Sequence, residues 1–308
     1  MNFDIIGDIH GEADALKRLL NKLGYDSADG VFKHPTRTVI FLGDFIDRGP
    51  AQREVIRIVR AMCEAGSAQA VMGNHEFNAI AYSTPNGTSH LRPHSDKNRK
   101  QHLAFLKAYE GDKNEYKAVI AWFKTLPLWL ELDGLRIIHA CWDRGAVDRI
   151  LKEYKGPMLS DELLWNAAKP GCWEYDDIET ILKGKEMPLP EASFFHDKDG
   201  VPRHAIRVKW WDSEPSYRSA YIGPPEALTH IPDDPMLGDH MIEYGHDEIP
   251  VFIGHYWLSG EPEPLAPNIA CVDYSVAKSG GKLVAYRFDG ESRLSTEKFV
   301  SVNRGVED

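Results

Sequence analysis

Five short apolar runs in this chain each stop at a side chain that can bind a cation, and in four of them a glycine stands just before it: FDIIGD, TVIFLGD, AQAVMGN, LRIIH and VFIGH. Runs of this length, mostly apolar and without strict alternation, read as strands buried on both faces. The spacing predicts strands over Phe3–Ile6, Thr38–Leu42, Ala68–Met72, Leu135–Ile138 and Val251–Ile253, with two more over Ile269–Val272 and Leu283–Phe288. Between the first three lie helical patterns. Leu16, Leu19, Leu20 and Leu23 repeat at i, i+3, i+4 and i+7 before Gly24. Val55, Ile58, Val59 and Met62 do the same, with Pro50 expected in the first turn and Gly66 past the end. Strands alternating with helices predict an α/β fold. In open α/β sheets, groups just past the carboxyl ends of strands collect along one edge, where ligands bind.

The stretch VIFLGDFIDRGP sharpens the chemistry, because it sets Asp44 and Asp47 three residues apart at the end of a buried run. Carboxylates so close repel unless positive charge stands beside them, and a pair of metal ions supplies it. Two divalent ions about 4 Å apart themselves repel by roughly 17 kcal/mol at an effective dielectric of about 20, so an anion must bridge them. The surrounding donors mix oxygen and nitrogen without thiolate, which suits Mn, Fe or Zn better than Ca.

GDIHG (Asp8, His10), GDFIDRG (Asp44, Asp47, Arg48) and GNHE (Asn74, His75), followed by His139 in RIIHA and His255 in FIGHYW, resemble the calcineurin-like metallophosphoesterases. Within them the set is similar to the phosphoprotein phosphatase branch, which also holds the bacterial diadenosine tetraphosphatases. The resemblance covers residues 1 to about 143 and 250–290, and NIACVDYSVAKSGGKLVAYRF is similar to the family's closing strand pair. It implies a β-sandwich flanked by helices, with one metal held by Asp8, His10 and Asp44 and a second by Asp44, Asn74, His139 and His255. Asp44 then bridges, and a hydroxide is the natural second bridge and nucleophile. The resemblance gives Arg48 the phosphate oxygens and His75 the leaving-group proton, with Asp47 orienting His75. The second phosphate-binding arginine usual in that branch has no recognisable motif here. Arg207 is the first candidate, with Arg144 and Arg218 behind it.

The implied activity is hydrolysis of phosphate esters or anhydrides, with dinucleoside polyphosphates first and serine/threonine or dual-specificity protein phosphatase action as the alternative. A non-catalytic binding module would have lost metal ligands, and all are present. Mn is the favoured metal. The partner is a small phosphorylated compound, nucleotides included; oligomeric state stays open.

With 47 Asp and Glu against 36 Lys and Arg, the formal charge is -11, which argues against an extended nucleic-acid surface. The N-terminal MNFDIIG has no basic region followed by a long apolar one, and AVIAWFKTLPLWLEL is broken by Lys124 and Pro127, so neither a secretory signal nor a membrane span is expected. Four scattered cysteines, Cys63, Cys141, Cys172 and Cys271, suit a reducing cytoplasm. Cys141, beside His139, reads as a small buried hydrophobe.

The chain reads as one domain over 1–308. Residues Ser83 to Arg99 are polar and read as an exposed loop, and about 145–245 reads as an inserted cap. Trp165, Trp173, Trp210 and Trp211 lie in that insertion; packing is their first reading and nucleobase stacking their second. His90, His94, His196, His204, His230, His240 and His246 sit in polar segments and read as surface residues.

Overall fold

The computed structural model describes residues 2–27, 29–191, 193–196, 202–212, 216–236, 242 and 244–305. The core strands are β1 (Phe3–Ile6), β2 (Thr38–Phe41), β3 (Ala68–Ala70), β4 (Trp129–Leu132), β5 (Leu135–Ile138), β6 (Val251–Ile253), β7 (Ile269–Cys271), β8 (Asp273–Tyr274), β9 (Lys282–Phe288) and β10 (Phe299–Asn303). In the first sheet β1, β2 and β3 run parallel, and β1 pairs antiparallel with β9. Along its other edge β9 carries β10, while β8 extends the edge that β1 occupies. The second sheet runs β7-β6-β5-β4, with its first three strands parallel.

Alternate side chains explain why the strand runs are largely apolar on both faces. Ile5, Ile40, Leu42 and Val71 point toward Leu135, Ile137, Phe252 and Ala270 of the other sheet and form the sandwich interior. Their neighbours Ile6, Val39 and Phe41 belong to the larger core shared with the helices. Each such side chain, fully buried, contributes about 1.5–3 kcal/mol. Asp4 is the exception inside β1. Its buried carboxylate accepts from Tyr25 Oη at 3.0 Å and Arg37 Nε at 3.0 Å, and Arg287 Nε lies 3.2 Å away.

Helices α1 (Ala13–Leu23) and α2 (Gln52–Glu64) bury the predicted leucine and valine/isoleucine faces against the first sheet. Gly24 closes α1 in the left-handed conformation, as its position suggested. Pro50 stands outside α2, whose first residue is Gln52. Helix α3 (Asn74–Ser83) follows β3 directly. Three core strands escaped the periodicity reading: β4, hidden in the stretch weighed only as a membrane span, the two-residue β8, and β10, which is mostly half-exposed.

The reading of Ser83 to Arg99 as an open loop needs correction. It holds a two-strand hairpin, Pro85–Asn86 with Ser89–His90, and the start of a helix, Asp96–Gln101. His90 stacks on His94 at 3.9 Å and His94 on Tyr82 at 3.8 Å; His94 is exposed, as read from the sequence, and His90 is half-buried. His196, His204, His230 and His246 are exposed, and His240 lies outside the described residues.

The long insertion divides in two. Its helices Arg144–Tyr154, Asp161–Ala167 and Trp173–Lys183 send Ile150, Leu163, Leu164, Ile178, Ile181 and Leu182 into the main core. Beyond them a small separate cluster gathers around Ile206, Val208 and Tyr217, under the pairing of Glu186–Pro188 with Ala205–Arg207. Among the described residues, no helix is long and apolar enough to cross a membrane.

Candidate metal centre

Sequence order brings the candidate ligands together through the loops that leave β1, β2, β3, β5 and β6. Those loops approach one another too closely for any side chain at certain glycines. A Cβ on Gly73 would sit 2.3 Å from Asp44 Oδ1, and one on Gly254 would sit 2.3 Å from Asp8 Oδ1. Gly73 and Gly254 thus leave space for the carboxylates of Asp44 and Asp8, while Gly7 and Gly43 leave space for the backbone of Val272 and Gly73.

The backbone here is strained. Eight described non-glycine residues have positive φ: His10, Asp44, Asp47, Arg48, Lys155, His255, Trp257 and Ser275; all but Lys155 and Ser275 belong to these loops, and Ser275 follows β8. Such conformations cost on the order of 1–3 kcal/mol each and persist where surrounding bonds over-determine them. Glu76 supplies several. Its buried carboxylate accepts the amides of Asp44 (2.7 Å), Phe45 (2.9 Å) and Gly73 (3.1 Å), clamping the β2 loop to the start of α3. Burial, and then the Asp44 charge, push the Glu76 pKa up to about 7.

Asp44 is the centre of the arrangement. Its Oδ1 accepts the backbone N–H of His75 at 2.9 Å, at the positive end of α3. Its Oδ2 is buried without a hydrogen-bond partner and is faced by three imidazole nitrogens: His139 Nε2 at 3.5 Å, His10 Nε2 at 3.7 Å and His75 Nε2 at 3.9 Å. His10 Nδ1 lies 2.8 Å from the Ile46 carbonyl and His139 Nδ1 lies 2.6 Å from the Leu42 carbonyl. A carbonyl only accepts, so both protons sit on Nδ1 and the Nε2 lone pairs point toward the carboxylate. Lone pairs aimed at a buried anion repel it, unless a cation stands between.

The titration behaviour agrees. Burial, aided by the His75 and Arg48 charges, lowers the His10 pKa to about 3, so that ring stays neutral. At His139 burial works against a second proton, but Asp44 outweighs it and the pKa rises; a divalent ion at Nε2 would take that proton's place. Five buried carboxylates, Asp8, Asp44, Asp47, Glu76 and Asp273, share this region. Burial and then repulsion from Asp273 and Asp44 hold Asp8 well above the usual carboxylate range. On donor chemistry and on these orphaned atoms the residues fit divalent cations.

Two overlapping groups share Asp44. One is His10, Asp44 and His75; the other is Asp44, His139 and His255, with the ligand atoms of each group within 4.8 Å of one another. Asn74 Oδ1 lies 3.1 Å from His139 Nε2 and 2.7 Å from His255 Nδ1. Asp8 belongs to neither group of three; its Oδ2 accepts the His255 amide at 3.2 Å.

Asp47 stands apart from the cluster and grips two histidines. Its Oδ2 lies 2.6 Å from His75 Nδ1, and its Oδ1 lies 2.9 Å from His102 Nδ1. His102 is 4% exposed and was not singled out in the sequence. It sits in NRKQHLAFL, 55 residues from Asp47, with no local motif to mark it. Burial would raise the Asp47 pKa, but the two imidazoles, His102 foremost, hold it well below the usual range. At His75, burial lowers the pKa while Asp44 and Asp47 more than offset it, so the net shift is upward.

Arg48 is exposed and lays its guanidinium 3.6 Å from the centre of the Trp257 ring. Arg207, half-buried in Ala205–Arg207, has its Nε buried without a hydrogen bond and lies 3.8 Å from Glu186; after burial, its charge is the largest influence lowering the His255 pKa. Arg144 instead bonds Glu248 at 2.9 Å, and Arg218 bonds the Ile231 carbonyl at 3.0 Å, which engages both away from the metal cluster. Trp210 is wholly buried and Trp211 is 6% exposed; the Trp210 indole donates to the Ala140 carbonyl. These two are core residues, which removes the stacking reading for them. Trp165 packs half-buried on the core, and Trp173 lies beside Tyr154. Cys141 is fully buried, and burial pushes its thiol pKa well up.

Comparison with known proteins fits this geometry. An asymmetrical bis(5'-nucleosyl)-tetraphosphatase of Bacillus velezensis is 47% identical over 161 residues, half of this chain and 63% of that protein. The chain thus spans less than two thirds of that relative, and a smaller share of two similar ones. A symmetrical bis(5'-nucleosyl)-tetraphosphatase of Marinomonas is 24% identical across 97% of this chain and 98% of its own length. In fold, the chain resembles a protein serine/threonine phosphatase from Saccharomyces cerevisiae, with a TM-score of 0.54, 14% identity, and coverage of 100% of this chain and 81% of that one. Residues 1–255 match the sequence model of the calcineurin-like phosphoesterases, and the chain belongs to that family.

Proposed function

We propose that this protein is a binuclear metal-dependent phosphoesterase whose favoured substrates are dinucleoside polyphosphates. The observation that carries the reading is Asp44 Oδ2, buried, unpartnered and ringed by imidazole nitrogens. In this reading Asp8, His10 and Asp44 hold one ion, and Asp44, Asn74, His139 and His255 hold the other. Mn, Fe and Zn suit these ligands, with Mn favoured. Bound there, the pair supplies Lewis acidity toward phosphoryl oxygens and activates water.

The chain's own residues do the rest. Arg48 has its face on Trp257 and its N–H edges free for phosphoryl oxygens, a geometry that suits a planar fork of donors. His75 donates from Nε2 to the departing oxygen, while Asp47 accepts Nδ1–H and stabilises the imidazolium. Arg207 is the candidate for a second phosphate contact. The insertion over 145–245 roofs the site and favours ligands small enough to enclose. The names of the Bacillus velezensis and Marinomonas relatives support the nucleotide class.

The test is kcat/KM of the Mn-loaded enzyme for diadenosine tetraphosphate against a phosphoserine peptide. We expect at least a tenfold preference for the nucleotide. A tenfold preference for the peptide, about 1.4 kcal/mol, would replace the reading with a protein phosphatase.

His102 acts through Asp47 as a positioning residue, fixing the carboxylate oxygen that His75 does not use. Its own Nε2 is buried without a partner, an arrangement that costs stability. His102→Leu should slow alkyl phosphates on the order of 10–10²-fold in kcat with KM nearly unchanged, since misplacement of the acid is enough for such a loss. Activated aryl phosphates should suffer far less, and His102→Asn, which keeps a donor near the Nδ1 position, should recover most of the rate. An equal loss on both substrates, or no recovery in the Asn variant, would reduce His102 to packing.

A further inference from the structure

Two strained residues of the site lie outside the metal ligands and the acid: Trp257, at φ 57°, which carries Arg48 on its face, and Ser275, at φ 58°. Both are held by Asp273. Its Oδ2 accepts the Trp257 amide at 2.7 Å and its Oδ1 accepts the Ser275 amide at 3.0 Å, while its carbonyl accepts from Leu258. Asp273 is 1% exposed, so a buried carboxylate ties the loop after β6 to the loop after β8. What that tie presents is the Trp257 indole. One of its neighbours is the His10 ring, 5.9 Å away, and the residue also lines a cavity of about 160 Å³ with Glu226, Tyr274, Ser275, Lys278 and Lys282.

Two cations share that single ring. The Arg48 guanidinium lies 3.6 Å from its centre and the Lys278 ammonium 4.7 Å, so no more than about 8 Å separates them. Among the described residues neither side chain forms a salt bridge, whereas Lys282, in the same cavity wall, is paired with Glu261 at 2.6 Å. Like charges gathered beside a metal cluster repel one another and the metals. A cation–π contact of about 0.5–2 kcal/mol holds each in place but neutralises neither. Arg48 has the buried carboxylates of the cluster near it, and Glu226 is the one acidic residue in the cavity wall, so a bound polyanion would supply the countercharge that Lys278 lacks. Arg48 is the residue assigned to the reacting phosphoryl group, and Lys278, which lines the cavity, is joined to it through the shared Trp257 ring.

We infer that Trp257, Lys278 and the cavity behind them form a subsite for the phosphate next to the one being cleaved, so that the site selects a polyphosphate chain over a lone monoester. The inference deepens the proposed function and rests on it for the identity of the reacting phosphate. The indole serves as a spacer for two cations; with the guanidinium already on its face, it is not a platform for a base.

The experiment uses the Mn-loaded protein and calorimetric titration with two probes, orthophosphate and methylenediphosphonate, in the native protein, Lys278→Met and Lys278→Arg. In Lys278→Met the ratio of diphosphonate affinity to orthophosphate affinity should fall roughly tenfold, the size expected for one lost charge-assisted contact. Lys278→Arg should retain the native ratio. An unchanged ratio in Lys278→Met, whether both affinities hold or both weaken equally, would overturn the subsite. Binding of the diphosphonate is independent of turnover, so failure to cleave diadenosine tetraphosphate would sink the substrate class while leaving this result readable.

Discussion

Asp44→Asn is expected to lose metal affinity by at least about 10²-fold and kcat/KM by about 10³-fold or more, while the fold survives. The expectation follows from the two ends of this side chain. Oδ1 accepts the His75 amide, and either an asparagine or an aspartate oxygen can do that. Oδ2 carries the charge shared by both groups of ligands, and an amide nitrogen there would bring N–H donors where a cation belongs. Burial alone would raise the Asp44 pKa, but His139, His75 and His10 hold it well below the usual carboxylate range, so losing this charge should cost some stability in the absence of metal while the sheets still form. Metal content by mass spectrometry, measured beside kcat/KM for p-nitrophenyl phosphate, reads both effects. A variant that kept two tightly bound ions and near-native turnover would refute a shared Asp44.

His75→Asn separates proton donation from metal binding. Its Nδ1 is held by Asp47, and its Nε2 faces the cluster 3.9 Å from Asp44 Oδ2. As a general acid it should matter to poor leaving groups and hardly at all to good ones. Alkyl phosphates should slow by roughly 10²–10⁴-fold, the usual worth of such catalysis, and p-nitrophenyl phosphate by much less. Metal content should stay at two ions. Equal losses on the two substrates would count against the acid role. Loss of an ion would make His75 a ligand, a reading its place in the group with His10 and Asp44 allows.

Glycine-Asp and Glycine-Asn motifs were readable because their cause is local. An apolar run makes the strand, a glycine admits the neighbouring loop, and the next residue must then stand at the sheet's edge, as Asp8, Asp44 and Asn74 do. The helices that separate the strands were equally plain, since Leu16 to Leu23 and Val55 to Met62 mark one apolar face each. Family resemblance rests on the same short, contiguous signals, and so the α/β sandwich and the calcineurin-like family were legible before any coordinates.

What sequence alone left undetermined are contacts between segments that no local pattern links. His102, at the turn between the helices Asp96–Gln101 and Leu103–Ala108, reaches Asp47 across 55 residues, and nothing in NRKQHLAFL distinguishes that ring from a surface histidine. Trp210 and Trp211 sit in a polar, irregular segment, yet packing sends them into the core and leaves Trp257 as the indole at the metal cluster. Asp273, read only as part of a closing strand pair, proves to tie Trp257 to Ser275. Periodicity and motifs record how a residue relates to its near neighbours along the chain. Burial and pairing across 28, 55 or 247 residues, as between His75 and Asp47, His102 and Asp47, or His255 and Asp8, are decided by how the loops pack when the two sheets close.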